Sequence, residues 1–117
     1  MEDSLKLIND AQRTALANIV VRRYESRIVV ARQTVDEITL QIEKALAKPF
    51  DADKVDAEIK RFRTVADNLE ARKRELNLVQ TLSTERDATE QSIWLAATVE
   101  EAQRLVTRAD DQKETAQ

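Results

Sequence analysis

The side chains of this chain that could do chemistry are its charged ones. Histidine and cysteine are both absent, which removes the imidazole base, the thiolate nucleophile and the usual zinc ligands. A carboxylate-bridged metal bundle also needs a Glu-x-x-His pair, and no histidine can supply it. Asp and Glu alone can hold Mg²⁺ or Ca²⁺, but spread at helical spacing they read as solvated charges. No metal, cofactor or catalytic residue is therefore assigned, and the expectation is a protein that is not an enzyme.

Arginine and lysine remain. Between residues 11 and 35 the charged side chains are Arg13, Arg22, Arg23, Arg27 and Arg32 against Glu25 alone. A helical hairpin would lay Arg72, Lys73 and Arg74 beside them. The belt Arg22, Arg23, Arg27, Arg32, Arg72, Lys73 and Arg74 has the chemistry to meet nucleic-acid phosphates or an acidic protein patch. A net charge of −3, and Tyr24 as the one aromatic in the belt, argue against stacking of single strands. The belt thus reads first as an ordinary solvated face and next as a protein contact, with nucleic acid as the remaining alternative. An acidic last third, with Glu100, Glu101, Asp110, Asp111 and Glu114, either attracts a basic partner or keeps the chain in solution.

A second group is apolar. Leu5, Ile8, Leu16, Ile19, Val20, Val29 and Val30 exceed what one neighbouring helix can cover. Three consecutive β-branched residues, as in Ile19-Val20-Val21 and Ile28-Val29-Val30, sweep about 200° of a helix surface. Either a third helix covers this face or another subunit does, and it is the candidate association face. Trp94, in Ile93-Trp94-Leu95-Ala96-Ala97, is a candidate binding hot spot, although tryptophan also packs into bundles.

The elements that position these residues follow from punctuation. The chain of 117 residues has no glycine and one proline. Tight turns and strand connections draw on glycine for positive φ, so the class is all-α with few, long helices. No stretch approaches the roughly 20 apolar residues of a membrane span. The start, Met1-Glu2-Asp3-Ser4, is unlike a secretion signal. With zero cysteine, the expected location is cytoplasmic.

Pro49 disfavours helix at Lys48, so the first helix is expected over about 4–48. Asp51 suits the N-cap of the next, and Phe50 with Val55 has the spacing of a hydrophobic staple. On the first helix Val21, Tyr24, Ile28, Ala31, Val35, Ile38, Ile42 and Ala45 alternate spacings of three and four, a coiled-coil seam. On the second, Val55, Ile59, Phe62, Ala66, Leu69 and Leu76 form a matching series interrupted by Lys73. Folding at Pro49 sets Ala45 opposite Val55, Ile38 opposite Phe62, Ala31 opposite Leu69 and Tyr24 opposite Leu76.

That second series lapses after Leu82, and a new one runs Leu95, Val99, Ala102, Val106 and Ala109. Thr84 and Asp87 loosely resemble a capping box. The expected architecture is therefore a long antiparallel helical hairpin with a third helical segment. A three-helix bundle with helices near 4–48, 52–82 and 85–112 is favoured over one extended hairpin. Residues 1–112 form a single helical domain, and 113–117 a frayed polar tail. The function expected is non-enzymatic: a helical assembly or adaptor protein working through protein–protein contacts, such as a scaffold, an assembly factor or a surface-masking inhibitor, and self-associating into a homo-oligomer or larger assembly.

Overall fold

A computed structural model describes residues 6–115, with side chains described as far as residue 109. The protein is all-α. Helix α1 spans Asp10–Ala47, α2 spans Val55–Leu95 and α3 spans Val99–Thr115. The antiparallel hairpin and the third helix are both present. Among the described residues no backbone φ is positive, as suits turns built without glycine.

α1 and α3 start on side-chain caps, and all three starts differ from expectation. α1 begins at Asp10 rather than near residue 4, because Asn9 and Gln12 form a reciprocal capping box. The Gln12 N–H donates to Asn9 Oδ1 at 2.8 Å and the Asn9 N–H to Gln12 Oε1 at 3.0 Å. α2 begins at Val55, later than 52. Asp51 does not cap it. Its Oδ1 accepts from the Asp53 N–H at 3.0 Å and its carbonyl from the Lys54 N–H at 3.1 Å, which makes a turn ahead of the helix.

The largest correction concerns the second turn. α2 runs unbroken through Ser83–Ser92 to Leu95, and the break falls at Ala96-Ala97-Thr98. Thr84 and Asp87 lie inside α2. The working cap is Thr98, whose Oγ1 accepts the Glu101 N–H at 3.2 Å, while Glu101 Oε2 accepts the Ala97 N–H at 3.0 Å. Thr98-x-x-Glu101 is the stronger capping sequence because it carries the glutamate that Thr84-x-x-Asp87 lacks. α3 then extends to Thr115, into the stretch expected to fray; Gln117, like Leu5, lies outside the described residues.

The chain divides into two compact units, one of Met1–Ile28 with Thr81–Gln117 and one of Val29–Gln80. In the first unit three helical segments enclose an apolar core. Val20, Tyr24, Ile93, Ala96 and Ala102 are completely shielded, and Ala17, Ile28, Leu82 and Ala109 nearly so. α3 lies beside α1 and parallel to it, with Arg13, Arg23 and Arg27 reaching the carbonyls of Ala96, Val106 and Ala109 in order. One end is closed by extended residues: Leu7 bridges Thr98, the Ile8 N–H donates to the Ala97 carbonyl and the Val99 N–H to the Lys6 carbonyl.

The second unit is a two-helix hairpin, and its interior differs from expectation on one side. α1 presents its seam as read: Ala31, Val35 and Ile42 are buried. α2 does not. Its inward line is Glu58, Arg61, Val65, Asn68, Arg72, Glu75 and Val79, again at alternating spacings of three and four. Of these Glu58 and Val65 are buried outright. The expected seam, Val55, Ile59, Phe62, Leu69 and Leu76, faces out, between 44% and 54% exposed. Ala66 and Lys73 share that outer face.

The physical cause is arginine. The last carbonyls of a helix have no intrahelical partner, and Arg61 donates to the carbonyls of Ala45 at 3.2 Å and Lys48 at 2.8 Å, closing the end of α1. Arg61 also pairs with Glu58, and Arg72 Nε donates to Thr39 Oγ1 at 2.9 Å. Long aliphatic stems let these side chains cover the α1 seam while their heads find oxygen. Turning Arg61 and Arg72 inward carries the apolar series roughly 100° round the helix, one residue's rotation.

Candidate functional site

The basic belt is not one surface. Arg23 donates to the Val106 carbonyl at 3.4 Å, and Arg27 to the Ala109 carbonyl at 3.1 Å while lying 4.6 Å over the Tyr24 ring. Arg72 is held by Thr39. Consecutive Arg72, Lys73 and Arg74 diverge by about 100° each, so they cannot line one side; Lys73 and Arg74 are exposed, as are Arg22 and Arg32. Arginines that join helices are thus drawn from the same set that suggested a ligand surface.

These heads are not all satisfied. Arg13 Nε, Arg27 Nη1 and Arg61 Nε are buried without a hydrogen-bond partner, each a local cost against the bonds its neighbouring nitrogens make. Elsewhere the charges pair on the surface: Arg86 with Glu25 at 3.7 Å, and Arg104 with Glu100 at 2.8 Å. The bond to Glu100 holds the Arg104 guanidinium above its ordinary pKa, which leaves it charged at any working pH.

The apolar candidates separate as well. Ile8 and Val20 belong to the core of the first unit, and Leu16 is half-buried. Ile19, Val29 and Val30 stay exposed. Leu5 lies outside the described residues. Trp94 is 41% exposed and its neighbour Ile93 takes the core position instead. Among the described residues, no group of three or more acidic side chains converges as a metal site would require. No helix among them is long and apolar enough to cross a membrane. A depression beside Glu100, Gln103, Arg104, Thr107 and Arg108 lies along a single face of α3, without the enclosing walls of a substrate pocket.

The feature that sequence reading assigned to the wrong place is the outer face of α2. Val55, Ile59, Phe62, Leu69 and Leu76 were expected inside the hairpin, and they form instead an exposed apolar line about 32 Å long, at 1.5 Å per residue. Local spacing does not separate the two faces, because the inward line with its arginines and glutamates repeats with the same heptad period.

The fold and this face define an all-α helical-hairpin protein with a third helix and an apolar outer stripe. Comparison of the chain with family profiles, with curated proteins and with solved structures gives no match.

Proposed function

We propose that this is a non-enzymatic helical assembly or adaptor protein that acts through protein–protein contacts and self-associates. The observation that carries the reading is the outer stripe of α2, where Val55, Ile59, Phe62, Leu69 and Leu76 stand half-exposed along one face with Ala66 and Lys73 between them. Scattered exposed leucines are ordinary, but a contiguous apolar patch marks a surface that another molecule covers. The division of the arginine belt among intramolecular bonds favours protein over nucleic acid as the partner.

Native mass by light scattering after size exclusion, over a tenfold dilution, tests the reading. A stable multiple of 13.4 kDa is expected. A monomer throughout that range would overturn self-association.

A further inference from the structure

Resting on that reading, we propose that the partner of the α2 stripe is a second copy of this chain, docked antiparallel through Val55–Leu76. The stripe positions 55, 59, 62, 66, 69, 73 and 76 alternate spacings of four and three over three heptads. That is the pattern a second helix packs against with knobs in holes. The flanks decide which helix and which direction.

On the side of the stripe away from the hairpin interior, successive heptads carry Asp56, Arg63, Glu70 and Asn77. Arg63 and Glu70 occupy the same heptad position one repeat apart. Antiparallel pairing about a two-fold axis beside Asp67 sets Arg63 opposite the partner's Glu70, and symmetry repeats the contact. The same register places Ile59 against the partner's Leu76, Leu69 against the partner's Ala66, and Phe62 against the aliphatic stem of the partner's Lys73. Each copy fills the small or charged positions of the other with a large apolar side chain.

A parallel pair fails on the same residues. It would stack Lys73 on Lys73 in the seam, two like charges in an apolar layer. It would also require the other flank to supply the charge partners. That flank is Glu58, Val65 and Arg72, already committed to the hairpin interior by the Glu58–Arg61 pair and the Arg72–Thr39 bond. An isologous two-fold contact through a self-complementary patch is the commonest closed assembly.

Variants of the 117-residue chain read by light scattering and sedimentation equilibrium, with helicity followed by circular dichroism, test the inference. The unsubstituted chain is expected to be a dimer, and Leu69→Glu, on the exposed face, a helical monomer. Arg63→Glu alone and Glu70→Arg alone each create two like-charge contacts and should weaken dimerisation about tenfold. The double variant R63E/E70R should recover most of that loss, because only an arrangement that faces 63 with 70 restores both contacts. A multimer whose mass survives Leu69→Glu would overturn the α2 interface while leaving self-association standing. Loss of mass in Leu69→Glu without recovery in R63E/E70R would overturn the antiparallel register. A monomeric unsubstituted chain would overturn both the inference and the reading beneath it.

Discussion

The triplets Ile19-Val20-Val21 and Ile28-Val29-Val30 sit on one helix with nearly identical chemistry, and each buries one residue, Val20 or Ile28, but the second leaves more of the rest open. Val20 is fully buried, while Val29 and Val30 are 51% and 61% exposed. The first triplet belongs to the unit where α3 supplies a second neighbour for α1; Val29 and Val30 begin the unit where α2 is the only one. The apolar surface of α1 is therefore covered more widely in the unit that has a third helix than in the unit that lacks one. On α2 the division is by face instead: Leu82 and Ile93 are shielded in the first unit and Val65 in the second, while Trp94 and Leu95 in the one and Phe62 and Leu69 in the other are exposed.

The contrast is sharpest where a large side chain is removed from each unit. Tyr24→Ala empties a fully buried position under the Arg27 guanidinium. It should cost roughly 3–5 kcal/mol of stability in urea titration, the range for deleting a buried aromatic. Phe62→Ala, on an exposed face, should change monomer stability by about 0.5 kcal/mol or less and act instead on association. Equal losses in the two variants, measured where the protein is monomeric, would end the distinction between the units.

The second unit is held by polar contacts, so it should break at them. Arg61→Ala removes the donors to Ala45 and Lys48 and strands Glu58, with side chains only 14% and 11% exposed in the pair. An expected loss of about 3 kcal/mol follows from leaving a largely buried charge unpaired. Replacing both partners, as in E58L/R61M, should return about half of that loss, because neither desolvated charge then remains while the Ala45 and Lys48 carbonyls stay without their donor. Hydrogen exchange would localise the Arg61→Ala effect to residues near 45–65.

Within the triplets the effect is smaller and the comparison more direct. Val20→Ala should cost about 2 kcal/mol, the value of a buried side chain shortened in a packed core. Val30→Ala should be neutral or slightly stabilising, since alanine is the better helix former and nothing covers the valine. Thermal unfolding of the pair measures both in one experiment.

How much of this was legible in the sequence depended on which residues carried the signal. The absence of glycine and the single Pro49 gave the helical class and the first turn, because backbone geometry at those positions admits few alternatives. The α1 seam was legible because its apolar residues also are its inward ones. On α2 two lines share the same heptad period, one apolar and one of arginine and glutamate, and hydrophobicity alone selects the wrong one. What decides between them is the unsatisfied carbonyls at the end of α1, a tertiary demand that no local pattern in α2 displays. Of the association candidates, Val20 is core and Val30 surface for a similar reason, since the coverage comes from α3.

The position of the second turn is the remaining test, and it separates a helix boundary inside the first unit from a polar interruption that resembles one. Thr84 and Thr98 both stand three residues before an acidic side chain. Around Thr84 the run Ser83–Ser92 is polar, yet each residue tolerates helix, and Leu82 and Ile93 keep the inward line intact on either side. At Thr98 the hydroxyl accepts from Glu101 and Glu101 reaches back to Ala97, so two orphan N–H groups are satisfied at once. Thr98→Ala should therefore cost about 1 kcal/mol, as lost caps do. Thr84→Ala, a helix-interior change at an exposed site, should gain a few tenths of a kcal/mol through propensity. Opposite signs in the two melting curves would fix the turn at Thr98; a loss at Thr84 would return it to the polar run.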